Sequence, residues 1–306
     1  MGDVRSALVL GATGQQGGTV ARALKTRGWA VRAFVRDPHG PKARELADEG
    51  IELRQGDLAD ADSIRAAMTG VDGVFSVQPS SGQGAVYGVS DEQEVLYGTT
   101  VADIAVSLNV GHLVYSSVGA AGKGVTGMGH FESKTAIEDH IRGLDIRHTI
   151  VRPSTFMEML MLPGMGLDRG EFTFFMRPNQ SMQMIAVDDI GKIVAAIFDD
   201  PASYAGKTLE IAGDEVTGLA LQEALSQAAE GRIAYSRFPD SLLAQNRFLG
   251  RLAELVDDGR CAGSADIAAL RGAFGSLLTL DAWLAGPGKP RLRHALQAPV
   301  AAVALR

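Results

Sequence analysis

Along the first half of the chain, two hydrophobic rhythms take turns. Short apolar runs end in glycine or polar residues, and each is followed by a stretch whose apolar positions recur every three or four residues. Leu8-Val9-Leu10 is the first run, and Val20, Ala23 and Leu24 then share one helical face. Gly28 stops that helix, and residues 30–35 read as a second strand. Helix 42–49, strand 51–54, helix 63–69 and strand 74–77 continue the pattern. A long helix over 92–108, strand 112–116, helix 131–142 and strand 147–151 complete it. Strands separated by single helices pair in parallel through right-handed crossovers, so the pattern predicts an α/β fold with a doubly wound, mostly parallel sheet.

Beyond Leu162 the strict alternation stops. Short β-like runs at 172–176 and 182–187 precede a helix to Asp199, with Asp188 as its expected N-cap. Strands at 208–211 and 232–237 flank a helix over 218–229 capped by Thr217. Ser264 is the expected cap of helix 265–274, and Thr279 precedes helix 280–284. The organisation predicted is a nucleotide-binding unit over 1–154 and a smaller mixed lobe over 155–285, some of whose segments return to the first unit. A basic, Ala/Val-rich tail over 286–306 opens with Gly286-Pro287-Gly288-Lys289-Pro290 and reads as an interaction arm or as an extension without function.

The turn after the first strand carries the chemistry. Gly11-Ala12-Thr13-Gly14-Gln15-Gln16-Gly17 has the spacing GxxGxxG between a strand and a helix. Gly11 and Gly14 let the backbone turn tightly and approach a diphosphate, and Gly17 lets the helix pack close to the strand. The anion then meets unpaired amides at the helix N-terminus. This is the Rossmann arrangement, and Thr13, Gln15 and Gln16 belong to its cofactor turn. NAD-type sites place an acid at the end of the second strand; here Val35 stands there and Arg36 follows. A guanidinium pairs with a 2′-phosphate that an acid would repel, so Arg36, with Lys42 as a second cation, points to NADP(H). The competing reading gives Asp37 the acidic role. Asp57 and Leu58 lie at the adenine edge, although a turn Asp is also a common structural device. Val77 and Gln78 leave the fourth strand on the cofactor side. Residues 79–90, rich in Gly and Ser, are too irregular for a regular element and read as a flap.

Composition narrows the partners. The 306 residues carry a net charge of −7, which gives no general electrostatic reason to bind nucleic acid. Cys261 is the single cysteine, the six histidines are scattered, and no metal-ligand cluster is visible. No signal pattern or run of membrane-spanning length occurs, so the expectation is a cytoplasmic protein.

Taken together, Gly11 to Gly18, Val31 to Pro38, Gln55-Gly56-Asp57-Leu58, Tyr115-Ser116-Ser117-Val118, Val151-Arg152-Pro153 and Val187-Asp188-Asp189-Ile190-Gly191 resemble the NmrA-like branch of the atypical extended short-chain dehydrogenase/reductases. The resemblance covers roughly residues 6 to 285 and implies an NADP(H)-binding Rossmann protein. Active members of the wider superfamily use Tyr-x-x-x-Lys, the lysine lowering the pKa of the tyrosine and a nearby serine orienting the substrate. This chain reads His130-Phe131-Glu132-Ser133-Lys134: the lysine is kept, Ser116 and Ser117 are available, and the tyrosine is absent. The resemblance further implies that Lys134 bonds the nicotinamide ribose. It also implies that the segment from Pro153 to Phe156 contacts the nicotinamide, with Phe156 stacking on it or else belonging, with Met157, Met159 and Met161, to a core. His130 lies one helical turn from Lys134 and either exchanges a proton or simply packs at the helix start.

Two functions of different class follow. One is a redox-sensing regulator that binds NADP(H) without turnover and acts through a protein partner; the missing tyrosine favours it. The other is an NADPH-dependent reductase of quinones or other small conjugated carbonyls, with Lys134 and His130 assisting protonation.

Overall fold

Residues 4–83 and 88–298 are described by the computed structural model. β1 (Ser6–Val9), α1 (Gln15–Thr26) and β2 (Ala30–Val35) make the first crossover unit. α2 (Pro41–Asp48), β3 (Glu52–Gln55), α3 (Ala61–Met68) and β4 (Gly73–Ser76) extend it. α4 (Asp91–Ser107), β5 (His112–Ser116), α5 (Gly129–Arg142) and β6 (His148–Pro153) continue it. After β6 come β7 (Thr155–Phe156), β8 (Glu171–Phe174), β9 (Ser181–Ile185), α6 (Val187–Asp199), α7 (Pro201–Tyr204), β10 (Thr208–Ile211) and β11 (Asp214–Thr217). α8 (Gly218–Ala228) and β12 (Ala234–Arg237) lead to α9 (Asp240–Gln245), α10 (Arg247–Asp257), α11 (Ile267–Phe274), α12 (Leu280–Ala285) and α13 (Lys289–Gln297).

Seven strands form one parallel sheet in the order β10-β6-β5-β4-β1-β2-β3. Helices cover both faces, so the central strands are buried on both: every residue of β4 and β5 is buried. One face packs Val20, Leu24, Ile193 and Phe198 of α1 and α6 against the sheet, and the other packs Ile64, Val101, Ile137 and Ile141 of α3, α4 and α5. β1 has β2 on one side and β4 on the other, so the strand order reverses there. In such sheets that reversal opens a crevice at the carboxyl ends of the strands.

The stretch after residue 154 is divided in space. α6, α7, β10 and α11 return to the large sheet and its flanking layer. Most of the rest forms a second core around Met157, Phe172, Phe174, Leu221 and the fully buried Trp283. β9 lies between β7 and an antiparallel β11, while β8 pairs with β12.

Two local expectations are corrected. Asp188 does not cap α6; the N-cap is Ala186, and both carboxylate oxygens of Glu158 accept the Val187 N–H, at 3.2 and 3.3 Å. Ser264 does not cap the next-to-last sequence-predicted helix, because its hydroxyl bonds Glu210 while Asp266 caps α11 through the Ala269 N–H. Within the tail, α13 buries Leu292 and Ala295 in the second core. Residues 299–306 of that tail lie outside the described residues.

Candidate functional site

The turn from β1 to α1 is shaped by two glycines. Gly11 has φ of 65°, which L side chains rarely adopt, and its carbonyl accepts the Gly14 N–H at 2.8 Å. At Gly17 the constraint is contact: an added Cβ would stand 2.2 Å from the Gly11 carbonyl oxygen. The helix can therefore press its first turn against the strand only with glycine there. No side chain caps α1, whereas Asp60 caps α3 and Ser90 closes a capping box on α4. A helix whose first amides are left to an outside acceptor, above a turn too tight for a side chain, fits the diphosphate of a dinucleotide. Thr13, Gly14 and Gln15 line a cleft of about 290 Å³ at this turn. Gln16 points the other way along the sheet edge, where its side-chain oxygen accepts from Ser116 Oγ at 2.7 Å.

At the end of β2, Arg36 is exposed, and its side chain makes no hydrogen bond or ion pair among the described residues. Lys42, on α2, is exposed and lines the same cleft as the glycine turn. Asp37 accepts the His39 N–H at 2.8 Å, so one carboxylate oxygen serves its own turn. Asp57 is used in the same way, accepting the Ala59 N–H at 2.9 Å. Leu58 packs on the apolar layer of α3 and α4.

Across the crevice, at the ends of β4 and β5, the groups are buried. The Lys134 ammonium forms an ion pair with Glu94 and donates to Ser80 Oγ at 3.1 Å. The side chain of Lys134 is 13% exposed and that of Glu94 1%. Ser81 bonds Asp91 beside them. Gln78 donates to Ser76 Oγ at 2.8 Å, and Val77 and Phe156 both pack on the core between the sheet and α6. Ser117, Pro153 and Ser116 are buried at the ends of β5 and β6. Met157 is fully buried, so the methionine run begins in the core of the second lobe. Tyr115 on β5 offers no substitute for the missing tyrosine. It is sealed in the sheet, and burial, then Glu94 and Glu138, push its hydroxyl well above the ordinary pKa of 10.

His130 sits in the first turn of α5 with its ring 4.0 Å from that of Phe131 and 5.5 Å from that of Phe248 on α10. Gly82 rests on the same ring, where a Cβ would come within 2.6 Å of it. Of the expected flap, Ser80, Ser81, Gly82 and Ser90 are thus placed against α4 and α5, and 84–87 lie outside the described residues.

Glu94 was missed by sequence reasoning, although a signal existed. It occupies the buried stripe of α4 with Gly98, Val101, Ala102 and Ala105, at helical spacing. A carboxylate in an apolar stripe needs a buried partner, and that partner is Lys134. Ser80 left no such trace. A broader surface depression of about 890 Å³ beside α8 holds none of these groups. Among the described residues no cluster of metal-ligating side chains occurs, and no helix is long and apolar enough to cross a membrane.

The NmrA-like family model matches residues 5–258. An NmrA-like family domain-containing protein of Dictyostelium discoideum is 28% identical, over 76% of this chain and 80% of the relative. An NmrA-like family domain-containing oxidoreductase of Malbranchea aurantiaca is 32% identical over 67% of each chain. An NAD(P)H azoreductase of Xenophilus azovorans is 26% identical over 72% of this chain and 84% of its own. In fold, the chain is similar to the negative transcriptional regulator NmrA, solved with NAD and with NADP: TM-score 0.79 at 18% identity, covering 95% of this chain and 98% of that one. With the family model spanning both the glycine turn and Lys134, the chain is a member of the NmrA-like family.

Proposed function

We propose that this chain is an NADPH-dependent reductase of small conjugated acceptors such as quinones or enones. The observation that carries the reading is the buried Lys134–Glu94–Ser80 cluster. Removing two charges from water costs several kcal/mol per ion before their attraction repays it. A fold gains little from such a pair that apolar packing could not give, so its place at the crevice points to chemistry. When bound, the cofactor supplies a hydride. The acceptor then needs one proton, and the chain holds a route for it. Ser80 Oγ accepts from Lys134 and, at 3.4 Å, from the Gly82 amide, so its own proton is left to donate. Lys134 can then restore that proton, and Glu94 fixes the ammonium. Ser80 thereby takes the position in the relay that the tyrosine holds in Tyr-x-x-x-Lys enzymes. Arg36 and Lys42 support NADP(H) over NAD(H), and the oxidoreductase and azoreductase names of the relatives at 26–32% identity support the reaction class.

The test separates binding from turnover. Ser80→Ala and Lys134→Met are expected to cut kcat about a hundredfold or more while NADPH affinity changes much less. Equal losses in both quantities would reduce these residues to cofactor binding.

One observation favours the regulatory reading instead. Gly82 and Phe248 meet on the His130 ring, so the segment after β4 is tied to the second lobe. A cofactor that moved this segment would alter the lobe and hence a protein contact, provided its oxidised and reduced forms bind the two conformations unequally. That reading expects no turnover and a protease digestion pattern at 79–90 that changes with cofactor.

A further inference from the structure

The phosphate cleft has a wall that the family match does not include. Pro287 and Arg291 line it together with Ala12, Thr13, Gly14 and Gln15, although the family model ends at residue 258. The wall is α13 with the turn that leads into it, and the helix is firmly docked. Leu292 is 1% exposed and Ala295 8%. A Cβ at Gly288 would meet the buried Trp283 ring at 2.5 Å, so the helix begins in close contact with α12. Leu292, the residue after Arg291, is thus anchored inward while Arg291 stands exposed on the cleft side.

Charge bookkeeping in the cleft gives Arg291 its meaning. Glu45, Glu158 and Asp188 line it, and each would oppose a bound phosphate. Arg22 also lines it, but both oxygens of Glu49 hold its Nε, at 2.9 and 2.8 Å. Lys42 and Arg291 are the remaining cations of the lining. The field of Arg291 already reaches Glu158, whose pKa burial raises and Arg291 lowers. A guanidinium matches two phosphate oxygens in fork geometry, which an ammonium does not.

We propose that Arg291 is a ligand of the cofactor diphosphate, closing the glycine turn from outside and opposing the three carboxylates of the cleft. The proposal rests on the reading that this turn binds a dinucleotide. It makes α13 a part of the cofactor site supplied by a segment beyond the family's matched span.

The experiment is a calorimetric titration of the full chain with NADPH and with NADH, comparing wild type, Arg291→Ala, Arg291→Lys and Arg293→Ala. Arg291→Ala is expected to weaken both cofactors by the same factor, about tenfold or more, because both carry the diphosphate. Arg291→Lys should recover part of the loss, and Arg293→Ala, exposed on the same helix but outside the cleft, should match wild type. Hydrogen exchange gives a second readout: amides of 289–297 should gain protection on NADPH addition in wild type and not in Arg291→Ala. The cofactor-free melting temperature should move little, since Arg291 acts on Glu158 only through its field and makes no hydrogen bond or ion pair among the described residues. A wild type that binds both cofactors beside an Arg291→Ala of unchanged affinity overturns this assignment alone. Loss confined to NADPH also overturns it, placing Arg291 on the 2′-phosphate. Failure of the wild type to bind either cofactor overturns the dinucleotide reading of the turn as well.

Discussion

The two ends of the crevice are built on opposite electrostatic plans. Toward β2, Arg36 and Lys42 stand exposed, with no partner holding Arg36 in place among the described residues. Toward β4 and β5, Lys134, Glu94 and Ser80 are locked together out of water. Exposed cations attract a phosphate through a screened field and can be exchanged one at a time at small cost to the fold. A buried pair is unscreened, and removing one partner strands the other. On the proposed reading, cofactor choice is adjustable at the wet end, while the chemistry depends on a network at the dry end that fails as a unit.

The largest test of this contrast is Glu94→Ala. It leaves the Lys134 ammonium without its carboxylate in a nearly closed site, and a loss of roughly 3–5 kcal/mol is expected by urea unfolding. A change below about 1 kcal/mol would mean that water reaches the lysine and that the two ends do not differ in kind.

Acid sensitivity comes next, because it fixes where the dry end can be studied. His112 opens β5 at the edge away from the crevice, bonds Thr149 Oγ1 at 2.8 Å, and is pushed down to about 4 by burial and then by Arg147 and His148. Its folded pKa lies below the ordinary 6.5, so the unfolded chain takes up the proton first. The stability it contributes is complete above pH 6.5 and is lost as pH falls through 4, roughly 3 kcal/mol in all. Unfolding midpoints across this range should fall in wild type and fall less in His112→Gln. Identical slopes would assign the acid loss to other groups. Turnover against pH is then best read above 6.5.

The smallest expected effect is at the wet end. Arg36→Asp should weaken NADPH about tenfold or more, roughly 1.4 kcal/mol, and leave NADH unchanged or improved. Wild-type NADPH affinity should also fall with added salt. A salt-independent NADPH affinity left intact by Arg36→Asp would end the assignment of the 2′-phosphate to this edge.

The same division governs what the sequence could disclose. The glycine turn was legible because its constraints are local: positive φ at Gly11 and the contact of residue 17 with residue 11 follow from backbone sterics. The central parallel strands β1, β4 and β5 were legible as largely apolar runs, since they are buried on both faces. β11 was not, because Asp214-Glu215-Val216-Thr217 has no such run and is held by its pairing with β9. α13 was hidden behind Gly286-Pro287-Gly288, which reads as an ending, while the core that receives Leu292 is assembled from distant segments. The Asp188 cap was misplaced for a related reason. Position in sequence suits it, but Glu158, nearly thirty residues earlier by the 29-residue separation, reaches the amide first. The Lys134–Glu94 pair spans 40 residues and two helices, so neither side chain names the other.

The central claim, that the buried lysine cluster serves a reduction, is tested most directly by the steady-state loss of NADPH absorbance with wild-type protein and a panel of quinones, enones and azo compounds. Turnover is expected on at least one class at a rate on the order of 1–10 per second or faster, abolished in Lys134→Met under saturating NADPH. Tight NADPH binding with no consumption across the whole panel would contradict it and leave the regulatory reading in its place.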